Sequence, residues 1–354
     1  MDDSVSFLRN ENLSIESLLG KPEHWKSSVL GTLCFSADAE RNDMVHQSME
    51  IPCMRVPMQR LDATDSFCEI WHGNGHLKQG QSGVIHYRYD DDVLFGVIEQ
   101  PETGFIAREG KTPLQQATEF AYRQIFALIE LMRYPYLFRF WNYIADINGH
   151  SFELERYRQF NLGRQDAFLA HGHSVAGNIP AACALGLEQG SLTIAFLAGR
   201  VKPLAIENPR QVSAYQYPIQ YGPRSPMFAR ACLVQLAQDE VLFISGTASI
   251  VGHVTLHPAD VVAQTQETIR NIEAVLTETN RVSSQANFCL ADLHYKVYIR
   301  HPEDLEKIRM ELTRHIGDSL DAVYLQADIC RADLLVEIEG SARYRTLPKL
   351  ELRA

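Results

Sequence analysis

Between Tyr215 and Arg230 the chain reads Y-Q-Y-P-I-Q-Y-G-P-R-S-P-M-F-A-R, with three tyrosines, three prolines and two arginines in sixteen residues. Proline fixes φ and removes a backbone donor, so this stretch is a stiff, extended loop rather than a helix. Tyrosine offers a flat face with a hydroxyl tip, and arginine a planar fork that fits a carboxylate. The matching chemistry is recognition of a small, flat anion; the competing reading is a surface loop with solvated arginines. A second cluster, E-R-Y-R-Q-F-N-L-G-R from Glu155 to Arg164, repeats the combination and favours the binding reading. Glu337 is a further candidate. It sits in the apolar run L-L-V-E-I, and a strand's period of two puts it on one face with Leu335 and Glu339, with Val336 and Ile338 opposite. Taken by itself, a glutamate so placed faces solvent or an ion pair.

Composition limits what such residues can do. The 354 residues suggest two domains or one large one, and 45% hydrophobic with 22% charged content is ordinary for a soluble globular protein. A net charge of −11, from 33 basic and 44 acidic residues, argues against nucleic-acid binding. An anionic ligand must then be held by local arginines against the overall field. The seven cysteines (34, 53, 68, 183, 232, 289 and 330) are scattered and never form C-x-x-C. They read as free thiols in a reducing cytosol, not as a disulfide framework or zinc site. His171 with His173, and His253 with His257, lack companion carboxylates, so no metal is expected. Without G-x-G-x-x-G or a P-loop, no nucleotide cofactor is expected either. The acidic start M-D-D-S-V has no apolar core and no run reaches ~18 apolar residues, so neither a signal peptide nor a membrane span is expected.

The elements that must position these residues come next. Residues 1–80 are mixed, with a short apolar run at 28–35. Residues 83–89 and 93–98 form a hairpin about the Asp90–Asp92 turn. Residues 112–133 form a helix, capped by Thr112 with Pro113 in its first turn and a stripe of Phe120, Ile125, Leu128 and Met132. The aromatic run 134–143 reads as a buried strand or domain seam, or else a binding wall. Residues 151–170 read as a second helix carrying Arg156 and Arg164. Residues 175–190 read as a loop with a short helical piece, and 192–197 and 228–236 as buried strands. Then follow a strand at 241–244, a small-residue turn S-G-T-A-S at 245–249, a helix from Pro258 to about Glu278, a strand at 291–299, a helix at 303–315, and strands at 322–327 and 334–338. This is an α+β layout, mixed sheets with helices on one face. The expected division is an N-terminal α+β domain over residues 1–150 and a catalytic domain over residues 151–354.

The C-terminal order and its spellings resemble the RidA/YjgF superfamily: S-G before the helix, Q-T-Q-E-T-I-R-N-I-E-A-V-L over residues 264–276, and a closing V-E-I-E at 336–339. With E-R-Y-R-Q-F-N-L-G-R-Q-D-A-F (155–168), Y-G-P-R-S-P-M-F-A-R-A (221–231), S-G-T-A-S-I-V-G-H (245–253) and C-R-A-D-L-L-V-E-I-E-G (330–340), the chain looks like a chorismatase, nearest the hydroxybenzoate-forming type. That resemblance implies cofactor-free cleavage of chorismate to pyruvate and 3- or 4-hydroxybenzoate. Chorismate's two carboxylates call for two cationic forks, for which Arg164 and Arg224 are the candidates, with Arg156 and Arg230 in reserve. Tyr217 and Tyr221 are candidate hydroxyl donors. Each arginine has a structural ion pair as its alternative role. By the resemblance, Glu337 is the general acid, while Ala248 and Cys330 tune the product. Cysteine at 330 resembles the 3-hydroxybenzoate branch and alanine at 248 resembles the hydrolytic branch as much, which leaves the product open. The resemblance further implies roles in ubiquinone and aromatic-pigment synthesis. The protein is expected to be cytoplasmic, as a monomer or homo-oligomer. The other classes weighed are a RidA-like imine deaminase and a non-catalytic sensor of an aromatic acid.

Overall fold

The computed structural model describes residues 8–38, 51–63, 66–108, 110–172, 179–237 and 239–345. Three sheets carry the fold. A four-stranded sheet is built from β1 (Arg9–Ser14), β2 (Val29–Phe35), β3 (Cys53–Val56) and β4 (Phe67–His72), in the order β1-β4-β2-β3. A seven-stranded sheet is entered through β5 (Lys78–Ser82), β6 (Ile85–Tyr89) and β7 (Val93–Gln100). Helix α1 (Pro113–Met132), β8 (Tyr136–Ala145), α2 (Arg156–Ala170), β9 (Ala181–Leu187) and β10 (Leu192–Gly199) follow.

A six-stranded sheet is formed from β11 (Leu204–Ile206), β12 (Ala231–Gln235), β13 (Asp239–Thr247), β14 (His294–Ile299), β15 (Asp321–Gln326) and β17 (Val336–Arg345). Its order is β11-β12-β13-β17-β14-β15, and α3 (Val261–Val282) and α4 (Leu305–Ile316) lie in its connections. Short β16 (Asp328–Ile329) leaves this run to edge the seven-stranded sheet, whose order is β16-β9-β8-β10-β7-β6-β5.

The layers follow from the apolar faces. Helices α1 and α2 cover one face of the seven-stranded sheet, where Ile125, Phe126 and Phe160 meet Leu94, Phe140 and Phe196. Its other face packs on both remaining sheets through Trp141, Tyr143 and Leu197 against Phe35 and Trp71 on one side and Phe243 and Tyr298 on the other. Helices α3 and α4 cover the outer face of the six-stranded sheet, where Ile269, Ile272 and Leu312 meet Val297, Val336 and Ile338. The core is thus a stack of helices, sheet, sheets and helices, an α+β architecture.

Several local readings hold. Thr112 caps α1 by accepting from the Gln115 amide, with Pro at the first turn. The 83–98 hairpin pairs Tyr89 with Leu94. The aromatic run 134–143 falls largely in β8, which is buried from Leu137 to Ile144. Val336 and Ile338 face the helices, which turns Glu337 and Glu339 toward the other sheets.

Others need correction. The stretch 175–190 contains a strand, β9, parallel to β8. Its A-A-C-A-L-G-L sequence is buried nearly throughout, so no polar alternation marked it. The S-G-T segment at 245–247 is not a free turn but the end of β13, whose register against β17 slips between Ile244 and Thr247. Helix α3 starts at Val261 on an Asp260 cap, three residues beyond Pro258. The expected division at 150 falls between β8 and β9, neighbours in one sheet, so no sheet boundary lies there. Finally, Cys34 and Cys68 are joined as a disulfide between β2 and β4. The reading of all cysteines as free thiols fails for this pair, because their spacing in sequence does not reveal that they are opposite partners in a sheet.

Candidate active site

A cavity of about 320 Å³ opens where the Tyr/Pro loop, the end of β13, the start of α2 and the loop after β16 converge on β17. This is a volume suited to a small ligand. Tyr217, Tyr221, Pro226, Phe228 and Arg230 come from the loop, Gly246, Ala248 and Ile250 from the β13 end, Glu155, Tyr157 and Arg158 from the start of α2, and Cys330, Arg331 and Asp333 from the last loop. Glu337 lies in its wall.

The slip in β13 makes room for Glu337. A bulge lets one strand part locally from its neighbour, and glycine fills the gap: a Cβ on Gly246 would lie 1.9 Å from Glu337 Oε1. Ser245 anchors the bulge by donating to the Ala229 carbonyl at 2.6 Å and accepting from the Ala182 amide at 2.9 Å. Glu337 is 3% exposed. Burial, and then the Glu339 carboxylate, push its carboxyl up to about 8, against the opposing pull of Arg139. The Cys330 thiol lies 3.9 Å away and donates to Glu337 Oε2. Burial, then Glu337, hold that thiol far above its ordinary value, so it is a neutral donor rather than a thiolate.

Two guanidinium groups stand in the cavity wall, each with one buried nitrogen that has no partner. Arg230 Nη2 donates to the Val212 carbonyl at 2.8 Å and the Tyr217 hydroxyl at 2.9 Å, while its Nε has no acceptor. Arg331 lies over the Tyr221 ring at 4.0 Å and donates from Nη1 to the His253 carbonyl at 3.0 Å, while its Nη2 has no acceptor. The stacking presets the fork, and the two positive charges in the cavity wall favour a ligand carboxylate. Tyr221 is held in turn through its hydroxyl, 3.2 Å from His253 Nδ1. Arg158 adds a third cation, paired with Glu155 at 3.0 Å.

Of the residues expected from sequence, Glu337, Cys330, Ala248, Tyr217, Tyr221 and Arg230 line this cavity. Arg164, Arg224 and Arg156 do not. Arg164 is buried in a box of Tyr122, Phe140, Phe160 and Phe168, with ring distances from 5.3 to 5.9 Å. Arg156 pairs with Glu102 and donates to the Ala145 carbonyl at 2.8 Å, the structural role that was its alternative. Arg224 is exposed. Arg164 shares a helix face with the cavity-lining Tyr157 but lies two turns further along α2, beyond reach of the cavity. Arg331, Arg158 and Gly246 went unrecognised in the sequence. Arg331 adjoins Cys330 in C-R-A-D, which was the available signal.

Among the described residues no group of three or more His, Cys, Asp or Glu side chains is arranged to hold a metal; His173 lies outside them. No helix is long and apolar enough to cross a membrane.

Comparison with known proteins adds to this geometry. A family model described as chorismatase FkbO/Hyg5-like, N-terminal, matches residues 69–198. The chain is 39% identical to a chorismatase of Streptomyces rapamycinicus, over 81% of this chain and 86% of that protein. It is 36% identical to a 3-hydroxybenzoate synthase of Streptomyces hygroscopicus, over 88% of this chain and 91% of that one. A chorismatase crystal structure matches with a TM-score of 0.82 at 32% identity, covering 96% of this chain and 99% of that one. The YjgF gene product of E. coli matches 40% of this chain and 99% of its own, at 18% identity and a TM-score of 0.29.

Proposed function

Because the chain belongs to the chorismatase family, we propose that it cleaves chorismate to pyruvate and a hydroxybenzoate, 3-hydroxybenzoate or 4-hydroxybenzoate, with no cofactor. Glu337 carries this reading: a carboxyl held at about 8 keeps its proton at neutral pH, inside a cavity that also offers cationic forks. Arg230 and Arg331, which line the cavity, take the two carboxylates. Tyr217, Tyr221 and Phe228 give flat walls to the ring.

Proton transfer from Glu337 to the enol-ether methylene forms the methyl group of the future pyruvate and leaves an oxocarbenium ion. The ionised Glu337 then faces that cation and stabilises it. Capture by the ring hydroxyl, or elimination, followed by loss of a ring proton gives the aromatic acid and pyruvate, and the proton returns to Glu337. Chorismate contains the atoms of one hydroxybenzoate and one pyruvate, so the overall conversion needs no oxidant, reductant or water. Cys330 and Ala248 border the reacting groups and set which capture wins. Ala248 resembles the hydrolytic branch as much, and in that second outcome water takes the cation and the product is a dihydroxycyclohexadiene carboxylate. A 4-hydroxybenzoate product would serve ubiquinone synthesis, and 3-hydroxybenzoate aromatic pigments.

The test is incubation of the purified protein with chorismate and chromatography of the products. Equimolar pyruvate and hydroxybenzoate is the expected result. Pyruvate with the dihydrodiol would assign the hydrolytic branch, and unconsumed chorismate would overturn the proposal.

A further inference from the structure

One layer behind Glu337, four charged side chains are buried between the sheets. Arg139 on β8, Glu339 on β17, Lys296 on β14 and Glu69 on β4 are each less than a tenth exposed. They come from all three large sheets. Glu339 is saturated with donors: Arg139 Nη2 bonds one oxygen, while Lys296 Nζ at 2.5 Å and the Tyr298 hydroxyl at 3.2 Å reach the other. Lys296 also pairs with Glu69, and Arg139 donates to the Ile244 carbonyl at 3.0 Å. Two cations thus face two anions, and the set closes on itself.

Glu337 stands two residues from Glu339 on the same face of the same strand, about 7 Å along it. Its surroundings are the reverse. No cation pairs with it among the described residues, and its one side-chain hydrogen bond comes from a thiol. The titratable or charged groups around it are Glu339 on its own strand, Arg139 on β8, Cys183 on β9, Cys330 on the loop and Tyr157 on α2, and the cavity it faces also carries Glu155, Arg158, Arg230, Arg331 and Asp333. Cys183 and Tyr157 are kept neutral by burial.

We propose that Glu339 is the positioning residue for the catalytic proton: fixed as an anion by Arg139 and Lys296, it makes Glu337 the carboxyl of the pair that carries the proton and takes it back after each turnover. This rests on the acid role proposed for Glu337. Two carboxyls sharing a water-poor space do not both ionise readily, and the one given cations ionises first. Burial opposes ionisation of both. At Glu339 the two cations outweigh it, and at Glu337 nothing does. Arg139 pulls on Glu337 in the opposite sense, but the influence of Glu339 exceeds it. Without the anion at 339, Glu337 ionises at lower pH and the donor is lost sooner as pH rises.

The experiment compares the wild type with Glu337→Gln, Glu339→Gln and the double variant Glu339→Gln/Lys296→Met. The double variant removes one charge of each sign, which covers failure of Glu339→Gln to fold. Two quantities are read against pH: kcat/KM for chorismate, and the infrared carbonyl stretch of a buried protonated carboxyl. In the wild type the band persists past neutrality, and it is absent in Glu337→Gln. In the folded variants at 339, both the band and the alkaline limb of kcat/KM move down by about one pH unit, a roughly tenfold loss at alkaline pH that closes at lower pH. A network that only braces the three sheets predicts lower stability with both midpoints unmoved, and that result overturns the inference while leaving Glu337 as the acid. Persistence of band and turnover in Glu337→Gln overturns both readings together.

Discussion

A side chain that must give up a proton to carbon near neutral pH needs its acid form preserved, and Glu337 has the burial and the anionic neighbour that do this. Replacing it by glutamine keeps the shape and removes the proton. The expected loss in kcat is roughly 10²- to 10⁴-fold with KM little changed, measured by steady-state kinetics on chorismate. The same substitution should stabilise the fold. A carboxyl with a raised pKa costs nothing at low pH, where it is protonated folded and unfolded. The cost appears as pH rises from the ordinary carboxyl range toward about 8, because the unfolded chain ionises there and the folded one resists. Glu337→Gln should therefore raise Tm at about pH 9 and leave it unchanged at about pH 4, with a gain on the order of a few kcal/mol at the alkaline end. Equal Tm shifts at both pH values would contradict the assignment of a raised pKa. The role proposed for Arg331 is in binding. Arg331→Met should raise KM and lower kcat/KM roughly 10- to 100-fold, the loss of one charge-assisted hydrogen bond. Lysine at 331 should recover little, since it supplies charge without the planar fork stacked on Tyr221.

The bulge in β13 is the element on which the site depends. It parts from β17 next to Glu337, and a Cβ there would collide with the Glu337 carboxyl where it now sits. Gly246→Ala should displace the Glu337 carboxyl, with kcat reduced at least as far as in Glu337→Gln and Tm lowered, in contrast to the gain expected for Glu337→Gln. Retention of activity in Gly246→Ala would show that the carboxyl sits elsewhere. Features of this kind divide what was legible in the sequence from what was not. Thr112 and Pro113 announce α1 because capping is local. The alternation of Val336, Glu337 and Ile338 announces β17 and the face of the acid because period two is local as well. The niche over Gly246 is set by register between strands almost a hundred residues apart, and no local pattern encodes it. The arginines show the same limit. Composition pointed to guanidinium forks, but whether Arg164 or Arg331 reaches the cavity depends on where α2 and the loop after β16 end in space.

At the scale of the molecule, three sheets share one buried seam, and the site lies where two of them part at the edge of that seam. The sequence suggested two domains divided at 150, yet β8 and β9 on either side of that point are partners in one sheet. Loop composition marks where chains turn, not which strands pair. The cysteines make the same point: Cys34 and Cys68, 34 residues apart in sequence, meet across β2 and β4 while the other five remain free. Thiol titration of unreduced, denatured protein should find five reactive groups, and seven would refute the pairing. The central claim, that this fold presents one protonated carboxyl to chorismate, is tested most directly by pyruvate release from chorismate at neutral pH, followed side by side for the wild type and Glu337→Gln without added metal or nucleotide. Rapid release by the wild type and loss of release in a folded Glu337→Gln is the predicted result. Equal release by both proteins, or none by the wild type, would contradict it.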